Sequence, residues 1–352
     1  MKKAIILFLV LSLLLCSCGQ AGVDTTAQTR EFTDSTGRTV TLPERVTKIA
    51  ISGPLSQIYI LPLAGDMLVG VSTAYAEDAQ TYLPAYIYEK AEIGQLYGGK
   101  GEMDLEALLA AGPDVVIDIG EPKKTTAEDL AALTDQTGIP FIHIDATVAT
   151  APEAYRTLGK LLDREEKAEE LAAWCESTYA GIAAMMERVD ADGARKTLLY
   201  CLGDKGVNVI AKGSFHAETI NFMSDNLAVI EDVVATGAGN EVDLEQILLW
   251  DPDVIVFAPD SCYDDISVSG QWQSVGAVAR GDFFRTPSGP YGWLSSPPAV
   301  QRYLGMLWLG QLLYPQYAEY DLQAEVTEYY QLFYGCELTE ELYQTLIANA
   351  LP

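Results

Sequence analysis

Histidine is scarce in this chain of 352 residues, His143 and His216 being the only two. Beyond residue 18 there are four cysteines, Cys175, Cys201, Cys262 and Cys336, and their separations match no metal-knuckle spacing. They read as core thiols, with any disulfide unassigned. Free zinc or manganese is disfavoured as cargo, and neither a resident metal nor a cofactor is expected. The nearest approach to a nucleotide motif is Gly94 to Gly101, Gly-Gln-Leu-Tyr-Gly-Gly-Lys-Gly, which fails where it matters: Gly101 stands where a Ser or Thr must hold Mg²⁺. No Gly-x-Ser-x-Gly elbow and no His-Glu-x-x-His helix is present. The side chains suit binding better than catalysis, and an enzyme is not expected.

Binding chemistry is concentrated in aromatic residues. From Val46 to Asp145 there is no arginine, yet there are six tyrosines: Tyr59, Tyr75, Tyr82, Tyr86, Tyr88 and Tyr97. A tyrosine ring offers apolar area with a polar tip, which suits a rigid chelate. Tyr75 and Tyr97 fall in segments that follow apolar strands, where open α/β sheets bind ligands. The other four read as half-buried against helices. In the second half, Phe215 and His216 open a helix in Gly213-Ser214-Phe215-His216, and Trp293 lies in a Gly/Pro-rich loop; these three are the expected contacts from that side. Highly anionic ferric chelates call for bidentate guanidinium partners, and here only Lys100, Lys123 and Lys124 lie near the first set of loops. The expected ligand is a neutral, cationic or weakly anionic complex.

The elements that must hold these residues are set out by an internal duplication. Residues 104 to 117 read Asp-Leu-Glu-Ala-Leu-Leu-Ala-Ala-Gly-Pro-Asp-Val-Val-Ile, and residues 243 to 256 read Asp-Leu-Glu-Gln-Ile-Leu-Leu-Trp-Asp-Pro-Asp-Val-Ile-Val. One shift aligns Asp104 with Asp243, Glu106 with Glu245, Pro113 with Pro252 and Asp114 with Asp253. In each copy an acidic residue starts a short amphipathic helix, Pro ends it, and a fully apolar run follows, as in a buried parallel strand. A hairpin is expected at Glu31 to Asp34 and Arg38 to Leu42, with strands at Ile49 to Ile51, Leu68 to Val71, Val115 to Ile119, Phe141 to Ile144, Thr197 to Cys201 and Val254 to Phe257. Residues 164 to 189 carry apolar side chains three and four apart, with no Pro: Ala168, Leu171, Cys175, Tyr179, Ile182, Met186 and Val189. One helix about 39 Å long follows at 1.5 Å per residue. The fold class is therefore α/β, two lobes, each a parallel-type sheet with packed helices, bridged by one long α-helix. Such a linker limits hinge bending.

The chain opens with Met1-Lys2-Lys3 and an apolar stretch from Ala4 to Leu15, a secretory signal of about twelve residues, too short to span a bilayer. Leu15-Cys16-Ser17-Cys18 has the form of a bacterial lipobox ending at Cys18; Cys16 follows the large Leu15 and fits less well. The organisation expected is a signal peptide over 1–17, a polar tether over 18–29, an N-terminal lobe over 30–150, a linker with the long helix over 151–190 and a C-terminal lobe over 191–352. Without the signal, 20 basic side chains face 50 acidic ones, a net charge of −30, which disfavours nucleic acid as a partner. A lipid-anchored, extracytoplasmic monomer is expected.

Taken together, the hairpin residues Phe32 to Arg38, both Asp-Leu-Glu…Pro-Asp-Val copies, Trp272 in Gln271-Trp272-Gln273, the stretch Pro290-Tyr291-Gly292-Trp293, and the ending from Ser296-Pro297-Pro298 through Leu307-Trp308-Leu309 to Tyr314-Pro315 carry a resemblance. The chain resembles the periplasmic binding proteins for siderophores, haem and vitamin B12. That resemblance covers about residues 30 to 350. It implies a receptor that passes a metal complex to an ABC permease, with one glutamate per lobe docking onto permease arginines; Glu106 and Glu245 match that motif. Within the same fold, a receptor for molybdate or tungstate, holding its oxyanion on backbone N–H groups, is the alternative. A lipid-anchored enzyme such as a chelatase would differ from both in turning over a bound complex.

Overall fold

The computed structural model describes residues 28–97, 102–234, 236–295 and 297–352. The signal peptide, Cys18, nearly all of the tether, and Lys100 lie outside the described residues. The described residues open on the expected hairpin, β1 (Thr29–Thr33) against antiparallel β2 (Thr39–Pro43). Its turn is fastened to the first lobe. Asp34 pairs with Arg38 at 2.6 Å, Arg38 Nη2 donates to the Phe141 carbonyl at 2.8 Å, and the Ser35 N–H donates to the His143 carbonyl at 2.9 Å.

In the first lobe β3 (Ile49–Ile51), β6 (Val115–Gly120) and β7 (Phe141–Asp145) form a parallel sheet in the order β3-β6-β7. The short strands β4 (Gly70–Val71) and β5 (Ala91–Glu92) pair parallel beside it, and Leu68 bridges to Ile49. Every residue of β3 and β6 is buried, which is why these runs are apolar throughout rather than alternating.

The second lobe is built on β8 (Thr197–Leu202) and β12 (Val254–Phe257), parallel neighbours, with β13 (Phe283–Arg285) parallel on the far side. On the other edge β9 (Asn208–Val209) runs antiparallel to β8 and pairs in turn with β11 (Asn240–Glu241), while β10 (Asp225–Asn226) pairs parallel with the start of β8.

The duplication is visible in detail. Each copy forms a seven-residue helix, Leu105–Ala111 and Leu244–Trp250, and leads into an inner strand, β6 or β12. Asp104 accepts from the Ala107 N–H at 2.9 Å and Asp243 from the Gln246 N–H at 2.7 Å, satisfying donors the helix start leaves open. Each helix closes on a left-handed residue, Gly112 and Asp251, before its proline. The following aspartates repeat too: Asp114 accepts from the Thr47 N–H and hydroxyl at 2.7 and 2.9 Å, and Asp253 from those of Thr197 at 2.9 and 3.0 Å. Both tie the incoming inner strand to the strand beside it.

Between the sheets runs the Glu165–Ala191 helix, about 40 Å at 1.5 Å per residue. Of the seven positions expected to face inward, six are buried; Tyr179 is half-buried and stacks on Phe222 at 5.3 Å. The last helices, Arg302–Leu313, Leu322–Tyr329 with its π-turn Tyr330–Tyr334, and Glu340–Ile347, are tied to the second lobe, where the Arg285 N–H of β13 donates to the Asn349 carbonyl at 2.9 Å, but they do not end there. They return across the linker: Tyr329 meets Trp174 of the long helix at 5.3 Å, Phe333 meets Tyr155 at 6.1 Å, and Tyr330 meets Tyr82 at 5.6 Å. One aromatic seam therefore joins the first lobe, the long helix and the chain end. Among the described residues, no helix is long and apolar enough to cross a membrane, and Cys175, Cys201, Cys262 and Cys336 are free thiols.

Candidate functional site

Tyr75 lies on the loop after β4 and is placed by Gln57, in the first turns of the Pro54–Ala64 helix. Gln57 Oε1 accepts from the Ser72 N–H at 2.8 Å and its amide nitrogen donates to Tyr75 Oη, so one buried amide fixes both loop and phenol. Tyr75 Oη in turn lies 2.9 Å from Tyr291 Oη, on the loop after β13. Burial pushes the Tyr75 phenol up to about 12, and it raises that of Tyr291 well above the ordinary value. Both remain neutral hydroxyls near neutral pH; one O–H is spent between them, which leaves the other to donate to a ligand oxygen, and neither is a ready phenolate ligand.

Tyr97, on the loop after β5, is half-buried; Lys123 Nζ stands 3.8 Å from its ring centroid and Asp129 Oδ2 is 3.4 Å from its hydroxyl. Burial is the largest cause of its phenol rising to about 12. Behind these loops Ser52, Ser56, Asp118 and His143 form a buried network. Asp118 accepts from Ser52 on one oxygen and from His143 Nδ1, at 2.7 Å, on the other. The carboxylate stands between hydroxyl and imidazole, so the three are not ordered as a Ser-His-Asp triad, in which the imidazole contacts the serine.

In the second lobe Ser214 caps the short turn that carries Phe215 and His216, accepting from the His216 N–H at 3.2 Å. Support comes from Arg302, which is fully buried. Its Nη1 lies 2.6 Å from Glu218 Oε2, its guanidinium stands 4.6 Å from the Phe215 ring, and Nε donates to the Ala299 carbonyl at 3.2 Å. Glu218 Oε1 accepts from the Val148 N–H, beyond β7, at 2.9 Å. The ion pair thus ties the Phe215–His216 turn to the first lobe.

His216 Nδ1 lies 3.1 Å from the Ser295 carbonyl, which can only accept, so Nδ1 carries the proton and Nε2 keeps its lone pair. Burial holds the imidazole pKa below 6.5, so the ring is neutral at neutral pH. Among the described residues Nε2 has no hydrogen-bond partner. Gly237 packs against this ring, where a β-carbon would stand 3.2 Å from Cε1. The same segment exposes Val229, Val233 and Val234, with Val233 beside Gly213. Of the three, Val233 is the one placed near the turn, beside Gly213, three residues before His216.

The structure joins Tyr75 to the loop after β13, and that loop holds His216 through Ser295. Tyr97 makes its described contacts within its own lobe. Trp293 departs from expectation: it is 1% exposed and belongs to the main hydrophobic core, so it does not line an opening. The aromatic of Pro290-Tyr291-Gly292-Trp293 that reaches the first lobe is Tyr291, two residues earlier, half-buried and bonded to Tyr75. Sequence reading also missed Gln57, Arg302 and the three valines. The one available signal was the run of exposed-looking apolar residues in Leu227-Ala228-Val229-Ile230 and Val233-Val234. Among the described residues, no three His, Cys, Asp or Glu side chains converge as a metal site. A recess lined by Lys167, Asp321, Thr327 and Cys336 lies against the C-terminal helices instead.

Glu106 and Glu245 both project into solvent from the first turns of their helices. Their spacing is set by the fold itself, since each sits ahead of an inner strand of its sheet.

The profile of the periplasmic binding protein family matches residues 56–290. Among solved structures, an ABC transporter solute-binding protein from Sulfurospirillum deleyianum is 27% identical with a TM-score of 0.83, covering 90% of this chain and 98% of that one. A periplasmic solute-binding protein from Veillonella parvula is 26% identical with a TM-score of 0.72, covering 92% and 98%. The molybdate-binding protein MolA of Haemophilus influenzae is 23% identical over 333 residues, 87% of this chain and 91% of that protein. The chain belongs to the periplasmic binding protein family, and its family and fold are those of substrate-binding proteins of ABC importers.

Proposed function

We propose that this family member is a lipid-anchored receptor that captures a compact metal complex of the iron-siderophore type and delivers it to an ABC permease. The observation that carries the reading is His216: a neutral imidazole with Nδ1 committed to Ser295 and Nε2 open, in a turn beside the exposed Val233. A lone pair is of use to a metal centre or a donor group, whereas an oxyanion calls for donors and cations. Val229, Val233 and Val234 suit the apolar periphery of a chelator. Tyr75, Tyr97 and Lys123 then contribute ring area and donors from the first lobe, and Phe215 the ring beneath the ligand. Lipidation at Cys18 holds the receptor on the outer face of the membrane, and Glu106 and Glu245 meet basic groups on the permease.

A second reading, molybdate or tungstate, is favoured by the name of the Haemophilus relative and by the neutral Tyr75–Tyr291 hydroxyl pair, which keeps one O–H free to donate. Calorimetric titration of the purified protein against ferric siderophores, haem, corrinoids, nickel complexes and molybdate separates the two. Submicromolar binding of a chelate is expected; saturation by molybdate alone would replace the first reading with the second.

A further inference from the structure

Exposed leucines stand out on the two repeat helices. Among the described residues eight large hydrophobic side chains are exposed, and three of them, Leu109 (51%), Leu248 (38%) and Leu249 (80%), lie on these two seven-residue helices. Scattered single apolar residues on a surface need no explanation. These are not scattered. Leu109 follows Glu106 by three positions and Leu248 follows Glu245 by three, so each leucine shares a helix face with its glutamate. Residues 104–110 and 243–249 also have the same sequence of exposed, half-buried and buried positions. With matching aspartate caps and matching Asp–Thr ties beneath them, one surface is presented twice.

We propose that Leu109 in one lobe, and Leu248 with Leu249 in the other, are the apolar half of a two-site docking surface for a membrane partner with two-fold symmetry. This rests on the docking role given above to Glu106 and Glu245. A partner built from two like subunits offers the same socket twice, a basic group beside an apolar pocket, and meets both patches. A partner without that symmetry has no use for the repetition. The halves are unequal, because Leu249 answers to Ala110, so the second lobe contributes more of the affinity.

The test begins with benzophenone side chains placed at Ala110 and, separately, at Leu249 of the lipidated protein in its own cell. Crosslinked peptides read by mass spectrometry are expected from equivalent segments of one membrane polypeptide or of two like subunits. Binding of the purified protein to nanodiscs holding that complex should then weaken about tenfold for Leu248→Ser with Leu249→Ser, and less for Leu109→Ser. Surface substitutions of this kind leave the fold intact, which thermal melting checks. If Glu106→Gln and Glu245→Gln weaken binding while the leucine variants bind as wild type, the inference fails and the docking role of the glutamates stands. If no variant changes binding, or the two positions crosslink to unrelated polypeptides, the docking role fails as well.

Discussion

Tyr75 Oη and Tyr291 Oη are 2.9 Å apart across 216 positions of sequence, one hydrogen bond between a loop of the first sheet and a loop of the second. The pair is buttressed on both sides, by Gln57 below Tyr75 and by Tyr334 of the π-turn, 6.2 Å from the Tyr291 ring. Replacing either tyrosine by Phe should cost about 1 kcal/mol, and the double variant little more, because the second loss removes a partner already gone. A double-mutant cycle by urea denaturation reads the coupling. Additive effects would mean the two hydroxyls do not interact.

Arg302 is fully buried and paired with Glu218, whose other oxygen holds Val148. Arg302→Ala leaves a buried carboxylate without its charge partner and should lower stability by about 3–5 kcal/mol, whereas Arg302→Met, which restores volume, combined with Glu218→Gln should cost less. Denaturation midpoints at constant slope make the comparison.

The fold was largely legible because its signals are local. Val254–Phe257 appears as a strand between the residues that sequence reading placed it, since a four-residue apolar run after a helix-ending proline leaves little choice. The long helix followed from spacing alone. The site was less legible because aromatic direction is decided by distant packing. Tyr291 and Trp293 share one loop, and nothing nearby says that the tryptophan turns into the core while the tyrosine reaches Tyr75. That choice depends on the C-terminal helices crossing back over the linker, a contact between segments far apart in sequence. Arg302 is a similar case: a lone arginine at the start of an apolar helix looks solvent-facing until Glu218 is brought beside it.

His216 makes stability depend on pH in a defined direction. Its folded pKa lies below 6.5, the value of an unburied imidazole, so between the two the unfolded chain binds the proton and the folded chain does not. Stability should therefore fall as pH drops below 6.5, and the fall should be smaller in His216→Gln. Urea midpoints of both proteins from pH 7.5 to 5 give the difference. A wild-type curve parallel to that of the variant would remove His216 as the cause.

Closure on ligand should be small. The Glu165–Ala191 helix is continuous between the sheets, and Tyr329, Tyr330 and Phe333 clamp the chain end onto the long helix and the first lobe. X-ray scattering profiles of free and ligand-saturated protein are expected to superimpose. A marked contraction on binding would require the aromatic seam to open.

One ligand is expected to touch loops of both sheets, with His216 and the segment of Val229 to Val234 on one side and the tyrosines on the other. Hydrogen–deuterium exchange with and without a saturating ferric hydroxamate complex tests it most directly. Slower exchange is predicted together at residues 72–75, 95–97, 213–216 and 229–234. Unchanged exchange at 213–216 and 229–234 under saturation, with protection confined to one lobe or to the recess beside Lys167, would contradict it.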